Sequence, residues 1–440
     1  MKTKRMMAAL LTSSLLLSMA GCAKKEKDPK ETKDPTKPSD IQTVDRPSDQ
    51  TAIFELTNVR DQDPASLNIK EIKQAYSKFV FGVMKRCLKV ANGNNVMISS
   101  DSILFALEMA ASGADGDTLD QMLQTMMPGV DNQVGFQYAL DRMKDLQSDK
   151  LSIANSAWIN KDLGGLIYDD YLSFVKGNFD AEIQNIKFDD SAVATINNWV
   201  CEKTDGMIEK IIDDVQGNSL MMLINAITFD AKWAEPFEEH RVNDGEFTTH
   251  DGTTQNVTFL HGGDDAKYLH SDSMQGIMKY YEDRDYAFVT LLPDDESVDI
   301  NDFMQNLSED EYWDFWESRN EHGDYNLIYK FPEFKSEYGT ELGPILKDMG
   351  MEDAFEPGKA DFSNLGNFNF YIGKVIHKTY IDVNRAGTRA AAVTVIDIKV
   401  GSAMAPDETR YVMCDRPFAY AIVDTTTGLP VFLGTVESVN

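Results

Sequence analysis

The sequence predicts one mixed α+β domain that follows an export signal and a polar tether. Of the 440 residues, 42% are hydrophobic, which is enough for a large buried core. Apolar residues at helical spacing and apolar runs of strand length both occur along the chain. No internal repeat or long linker interrupts residues 61–440, so one intertwined domain is favoured over two autonomous ones.

Residues 1–21 are predicted to be a signal peptide. Residues 1–5 are basic, and residues 6–17 form a mostly apolar stretch that is too short for an ordinary membrane span. Small residues then precede Cys22, and this pattern resembles the bacterial lipoprotein signal, in which the cysteine is acylated and becomes the new amino terminus. We therefore expect a lipid anchor on Cys22 in a bacterial membrane, facing the cell surface or the periplasm. The alternative is an ordinary secretory signal with an unrelated cysteine.

Residues 22–60 are predicted to be the lipidated cysteine and a flexible tether. Residues 23–50 are rich in Lys, Asp and Pro and contain almost no large apolar side chain. Such a segment buries too little surface to offset its ordering entropy. The expected arrangement is a globular domain tethered to a membrane surface.

The charge distribution excludes one class of partner. The formal charge of −30 includes +3 from residues 1–22 and none from residues 23–50, so residues 51–440 carry −33. Nucleic-acid binding requires a basic face, which so acidic a domain is not expected to present. A heparin-like polyanion is disfavoured for the same reason.

The elements follow from hydrophobic spacing. Helices are predicted at 69–89, 101–112 and 118–127, with Asp117 as the N-cap of the third. Residues 151–159 alternate like a strand. Residues 219–229, 285–292 and 431–436 are apolar runs typical of strands covered on both faces.

Common catalytic and metal-binding motifs are absent from the sequence. There is no HExxH, GxSxG, P-loop or GxGxxG, and the six histidines form no close metal-ligand pair. We therefore expect no enzyme activity, no metal and no cofactor. A hydrolase with a dispersed triad and a sugar-binding lipoprotein are alternatives that no motif supports.

Several segments nevertheless form a recognisable series. They are NVMISSDSI at 95–103, GADGDT at 113–118, INNWV at 196–200, TDGMI at 204–208, NAITFDAKW at 225–233, PF at 236–237, FPEF at 331–334, LKDMGM at 346–351, ADFS at 360–363, HK at 377–378, DRPF at 415–418 and FLG at 432–434. In order and spacing they resemble the serpin family. Ser100 replaces the usual proline and Ala419 a usual larger apolar residue.

This resemblance implies a fold with three β-sheets, eight or nine helices and an exposed reactive-centre loop. It also implies a monomeric inhibitor of serine proteases, and of cysteine proteases in some cases. The protease cleaves the loop and is acylated, and the loop then inserts into the main sheet as a new strand and traps the enzyme.

The hinge of that loop resembles residues 387–394. These are Gly387, Thr388, Arg389, Ala390, Ala391, Ala392, Val393 and Thr394. Counting from Thr388, every second residue to Val400 is small or apolar, and all the charges fall on the alternate positions. A strand with one buried face has this pattern, so we expect the loop to be able to insert. The alternative is a non-inhibitory serpin that acts as a surface binding protein.

The scissile bond is predicted from the family spacing, which places it fifteen residues along from the hinge glycine. This count gives Gly401–Ser402, with Val400 as an alternative position. Because these residues are small, we expect the target protease to have a shallow, elastase-like primary pocket.

Supporting residues are also carried over from the resemblance. Ser99, Asn225 and His377 match a polar cluster beneath the main sheet, and Trp233 matches a structural tryptophan. Each buried polar group costs about 1–3 kcal/mol if it is left unpaired, so we expect these three side chains to form hydrogen bonds with one another.

A loop-base salt bridge is the last predicted feature. The family usually has an acidic residue where this chain has Arg385, and commonly a lysine at the position of Glu333. Both charges are reversed, so an Arg385–Glu333 pair is predicted. The alternative is two unrelated surface charges.

Overall fold

A computed structural model describes residues 43–47, 69–321, 325–389 and 408–439. These ranges contain nine α-helices and 17 β-strands, in agreement with the predicted α+β class and helix number. The helices are α1 (Ile69–Ala91), α2 (Ser100–Ala111), α3 (Gly116–Met126), α4 (Asn132–Leu146), α5 (Asp169–Phe179), α6 (Asp190–Lys203), α7 (Ile300–Asn306), α8 (Glu309–Glu317) and α9 (Gly343–Asp348).

The strands lie in both apolar and polar segments of the sequence. They are β1 (Met97–Ile98), β2 (Leu151–Asn160), β3 (Glu182–Ile186), β4 (Met221–Phe229), β5 (Ala231–Lys232), β6 (Val242–Thr248), β7 (Thr254–Gly262), β8 (Lys267–His270), β9 (Met274–Tyr280), β10 (Tyr286–Pro293), β11 (Tyr325–Pro332), β12 (Phe334–Glu341), β13 (Ile376–Asn384), β14 (Gly387–Thr388), β15 (Glu408–Met413), β16 (Phe418–Asp424) and β17 (Pro430–Val436).

The predicted cap of α3 is wrong. The helix begins at Gly116, and its N-cap is Asp115, whose carboxylate accepts a hydrogen bond from the Gly116 N–H at 2.9 Å. Gly116 has a φ of +50°, which a glycine adopts without strain. The helix therefore starts earlier than the apolar spacing indicates, and Asp117 lies in its first turn.

Four hydrogen-bonded sheets appear in the described residues. Their strand orders are β1-β17-β16-β10-β9-β8, β15-β11-β7-β6, β12-β13-β14-β5 and β3-β2-β4. Because β5 follows β4 after a single residue, the last two sheets are the two halves of one larger layer. The three sheets expected from the resemblance are thus present, with the main one divided in two.

Helix α6 covers the outer face of the β3-β2-β4 half. Apolar side chains of α6 and the following segment pack on this half in a cluster of their own. Trp199 of α6 meets Trp158 of β2 edge to face, with ring centroids 5.9 Å apart. The other helices pack with the remaining sheets around the main core.

Residues 43–47, which fall within the predicted tether, lie against the domain. The Val44 N–H donates to the carbonyl of Ile167 at 3.0 Å. Arg46 donates from Nε and Nη2 to the carboxylate of Asp170, at 2.6 and 3.2 Å, and also binds Asn364. This short segment is therefore anchored by both backbone and side-chain contacts.

No helix in the part of the chain that the structure describes has the length and hydropathy needed to cross a membrane. The predicted signal peptide and Cys22 lie outside the described residues.

Candidate functional site

The main sheet contains an opening between β13 and β4. Among the described residues these two strands belong to different sheets and are not hydrogen-bonded to each other. A cavity of 730 Å³ occupies this region, with Ile103 and Leu107 of α2 among its lining residues. Asn225 of β4 and His377 of β13 line it as well, together with residues 211, 212 and 214–217 that follow α6. The gap thus lies between two strands and is underlain by a helix.

The first two hinge residues close one end of the opening, between the C-terminal end of β13 and β5; we call this the upper end. Gly387 and Thr388 pair with Asn384 and Val383 of β13 on one side and with β5 on the other. Thr388 is buried, and its hydroxyl lies 2.5 Å from that of Tyr281. The start of the hinge is therefore already a strand of the main sheet, with Thr388 on the inward face that the alternation predicts.

The rest of the predicted hinge and the scissile bond lie outside the described residues. This applies to Ala390, Ala391, Ala392, Val393, Thr394, Val400, Gly401 and Ser402. Arg389 is the last described residue before them.

Trp233 supports the closed upper end. Its indole N–H donates to the carbonyl of Asn384 at 2.8 Å, and its ring stacks on Tyr281 with centroids 4.5 Å apart. The side chain is fully buried, so it fixes the end of β13 next to the hinge.

Ser99 and His377 meet under the opening. Nε2 of His377 accepts a hydrogen bond from the Ser99 N–H at 3.1 Å. Burial lowers the pKa of His377 to about 3, so the ring is neutral and can serve as this acceptor. The Ser99 hydroxyl accepts from the Ser102 N–H at 3.3 Å and caps α2. This hydroxyl is a structural group of the helix end.

Asn225 does not join Ser99 and His377 as the resemblance implies. Its amide donates to Oδ1 of Asn155 at 2.7 Å, and Asn155 donates to the carbonyl of Phe179 at the same distance. The reason is the opening itself, which separates β4 from β13. Asn155, in the middle of a predicted strand, is the partner that the sequence reasoning missed. A buried asparagine within an alternating strand was the available signal.

The loop-base residues are in contact. Nε of Arg385 lies 3.0 Å from Oε1 of Glu333, and the same oxygen accepts from the Arg385 backbone N–H at 2.9 Å. The hydrogen bond to Glu333 raises the pKa of the Arg385 guanidinium. The side chains are 44% and 23% exposed, so solvent weakens the Coulomb attraction between them.

Nothing in the described ranges resembles a metal centre. No group of three or more His, Cys, Asp or Glu side chains in those ranges has the geometry to hold a metal ion. The arrangement of an opening, a seated hinge and a loop-base ion pair is suited to a change of strand pairing.

Comparison with known proteins agrees with this geometry. A family model described as serpin (serine protease inhibitor) matches residues 74–439. An uncharacterized serpin-like protein of Thermococcus kodakarensis is 28% identical, over 97% of each chain. The crystal structure of the thermophilic serpin tengpin in its native state is 35% identical and superposes with a TM-score of 0.75, covering 85% of this chain and 95% of that one.

The latent-state structure of tengpin is also similar, with 33% identity and a TM-score of 0.72 over 84% of this chain and 98% of that one. The family model covers well over half of the chain, and the sequence motifs, the divided sheet and these neighbours agree. The chain therefore belongs to the serpin family.

Proposed function

We propose that this chain is an inhibitory serpin, a suicide substrate that traps serine proteases, and cysteine proteases of similar specificity. The observation that carries the proposal is the opening beside β13, whose upper end already holds Gly387 and Thr388 as a strand. After cleavage, the rest of the loop would extend this strand and move the acylated protease to the far end of the molecule.

The register supports insertion. Thr388 faces Val383 in an antiparallel pair, so a continued strand places Ala390, Ala392 and Thr394 opposite Ile381, Thr379 and His377. All three of those β13 residues are buried. Small side chains would therefore face the core along the whole length of β13, and no charge would be buried.

The proposed cleavage site is Gly401–Ser402, with Val400 as the alternative. The family spacing counted from Gly387 supports this assignment. The small residues on both sides fit a shallow primary pocket, so elastase-like proteases are the proposed targets.

We also propose that the domain is exported and held at a bacterial membrane through a lipid on Cys22. The acidic body would be repelled by an anionic membrane surface, which favours presentation of the loop to solvent. A shift in mass of the mature amino-terminal peptide, absent in Cys22→Ser, tests this part of the proposal.

The inhibitory proposal is tested by incubating the protein with elastase-like and trypsin-like proteases. We expect a covalent complex that survives boiling in denaturant with the elastase-like enzymes, and mass spectrometry should locate the cleaved bond at Gly401–Ser402. Cleavage of the loop by every protease without any complex would contradict inhibition and favour the surface-binding alternative.

A further inference from the structure

Arg389 is the last described residue of the hinge, and its backbone departs from that of a regular strand. Gly387 and Thr388 follow the β13 register, and the Arg389 N–H still donates to the carbonyl of Asp382 at 2.7 Å. Its φ is +56°, in the left-handed region that a non-glycine residue rarely adopts. The strand cannot continue past this residue until its backbone rotates.

The Arg389 side chain is bound to the end of another element. Its Nη1 donates to the carbonyl of Thr204 at 3.1 Å and its Nη2 to the carbonyl of Asp205 at 2.6 Å. Thr204 is the C-cap of α6, and Asp205 begins the turn that ends the helix. Carbonyls at a helix C-terminus have no intrahelical partner and carry negative partial charge, so they are favourable acceptors for a guanidinium.

The segment after α6 is also fixed to β13. Nζ of Lys378 donates to the carbonyl of Lys210 at 2.7 Å. The Arg389 guanidinium therefore joins the hinge to an element that is itself held across the outer face of the opening.

In an inserted strand the same residue would have a different backbone conformation. Continuing the register places Arg389 directly opposite Asp382, on the outer face and with extended backbone. A rotation that returned its φ to negative values would reorient the side chain and break the present geometry of its two hydrogen bonds. The proposed inserted strand would therefore lose this contact to the end of α6.

We propose that Arg389 is a latch, which holds the loop out of the sheet by binding the C-terminal carbonyls of α6 and sets the rate at which the loop inserts. This inference rests on the proposed function, because a latch has an effect only where the loop can insert. It assigns to one side chain a positioning role in the timing of the conformational change.

The test follows spontaneous conversion of the uncleaved protein to a heat-resistant, loop-inserted form during incubation without protease. Arg389→Ala removes both side-chain hydrogen bonds and leaves a residue that disfavours positive φ, so conversion should accelerate about tenfold or more. Arg389→Gly also removes the bonds but tolerates positive φ, so it should convert at a rate between those of the wild type and Arg389→Ala. Arg389→Lys, with a single ammonium, should convert more slowly than Arg389→Ala.

Arg410→Ala is the matched control, since Arg410 is a half-exposed arginine of β15 that pairs with Glu408 at 2.8 Å. An Arg389→Ala protein that converts no faster than Arg410→Ala overturns the latch, and so does the absence of conversion in both. Near-ultraviolet circular dichroism before incubation establishes that each variant is folded. Failure of the proposed function would be seen separately, as the absence of any covalent complex with wild-type protein.

Discussion

His377 lines the opening, and its neutral ring accepts a hydrogen bond from the Ser99 N–H. Its pKa falls from the ordinary 6.5 to about 3 on burial, so the folded state binds fewer protons than the unfolded state between these values. The contribution of the neutral imidazole to the free energy of unfolding is therefore fully present above pH 6.5, and it is lost as the pH falls towards 3.

We expect the wild type to lose about 2 kcal/mol of unfolding free energy through His377 at about pH 5, relative to pH 7. His377→Gln should lose correspondingly less over the same interval. Guanidinium unfolding at both pH values measures the difference, with the exposed His240→Gln as control. Burial raises the pKa of Glu437 to about 8, and this group acts in the opposite direction, so only the difference between wild type and variant is informative. Equal pH dependence in the wild type and His377→Gln would refute this role.

The Arg385–Glu333 pair supports a second prediction at this scale. Arg385→Glu places two carboxylates at the loop base, and we expect spontaneous loop insertion or polymerisation to accelerate by up to about fivefold, the effect of a half-exposed pair. Glu333→Arg in the same protein should restore the wild-type rate. If the two single changes simply add in the double mutant, the contact has no energetic coupling.

At the scale of single elements, residues 43–47 form a short segment that lies against the domain, here called the strap. Most of its side-chain contacts with the domain are made by Arg46. This side chain is 8% exposed, makes a two-nitrogen contact with Asp170 and lies over the Tyr168 ring at 4.6 Å. We expect Arg46→Ala to reduce the free energy of unfolding by about 1–3 kcal/mol, because Asp170 and Asn364 lose a charged partner. Guanidinium unfolding checks this against Lys374→Ala, which removes an exposed pair with Asp214. A change no larger than in the control would mean that the strap adds nothing to stability.

The elements also show how far sequence reasoning extends. Helix α1 was predictable because its helical spacing of apolar residues is sustained over many residues, and strands β4, β10 and β17 because each is a continuous apolar run. The strap was not, because five residues in a polar segment carry no period. The Asn155–Asn225 contact was missed because it depends on the register of β2 against β4, which a single strand does not encode. The Arg385–Glu333 contact was predictable only because both residues reverse the charge that is usual in the family, so that the pair again has opposite charges.

At the scale of the whole molecule, the excess of acidic residues affects encounter with a partner. Residues 51–440 carry a formal charge of −33, which attracts a cationic protease over distances comparable to the Debye length. We expect the association rate with a basic elastase-like protease to fall several-fold between low and high salt, while that with an acidic protease of similar specificity rises. Stopped-flow or progress-curve kinetics measures both. Identical salt dependence for the two proteases would contradict electrostatic steering.

The proposed trapping mechanism requires a sheet that stays incomplete until the loop inserts into it. The most direct measurement is the thermal unfolding midpoint before and after the loop is cut within residues 390–407, with the cut located by mass spectrometry. Insertion adds a central strand between β13 and β4, so we expect the midpoint to rise by more than about 10 °C, which corresponds to several kcal/mol for a domain of this size. A cleaved protein that unfolds at the same temperature as the intact one, or below it, would contradict the account.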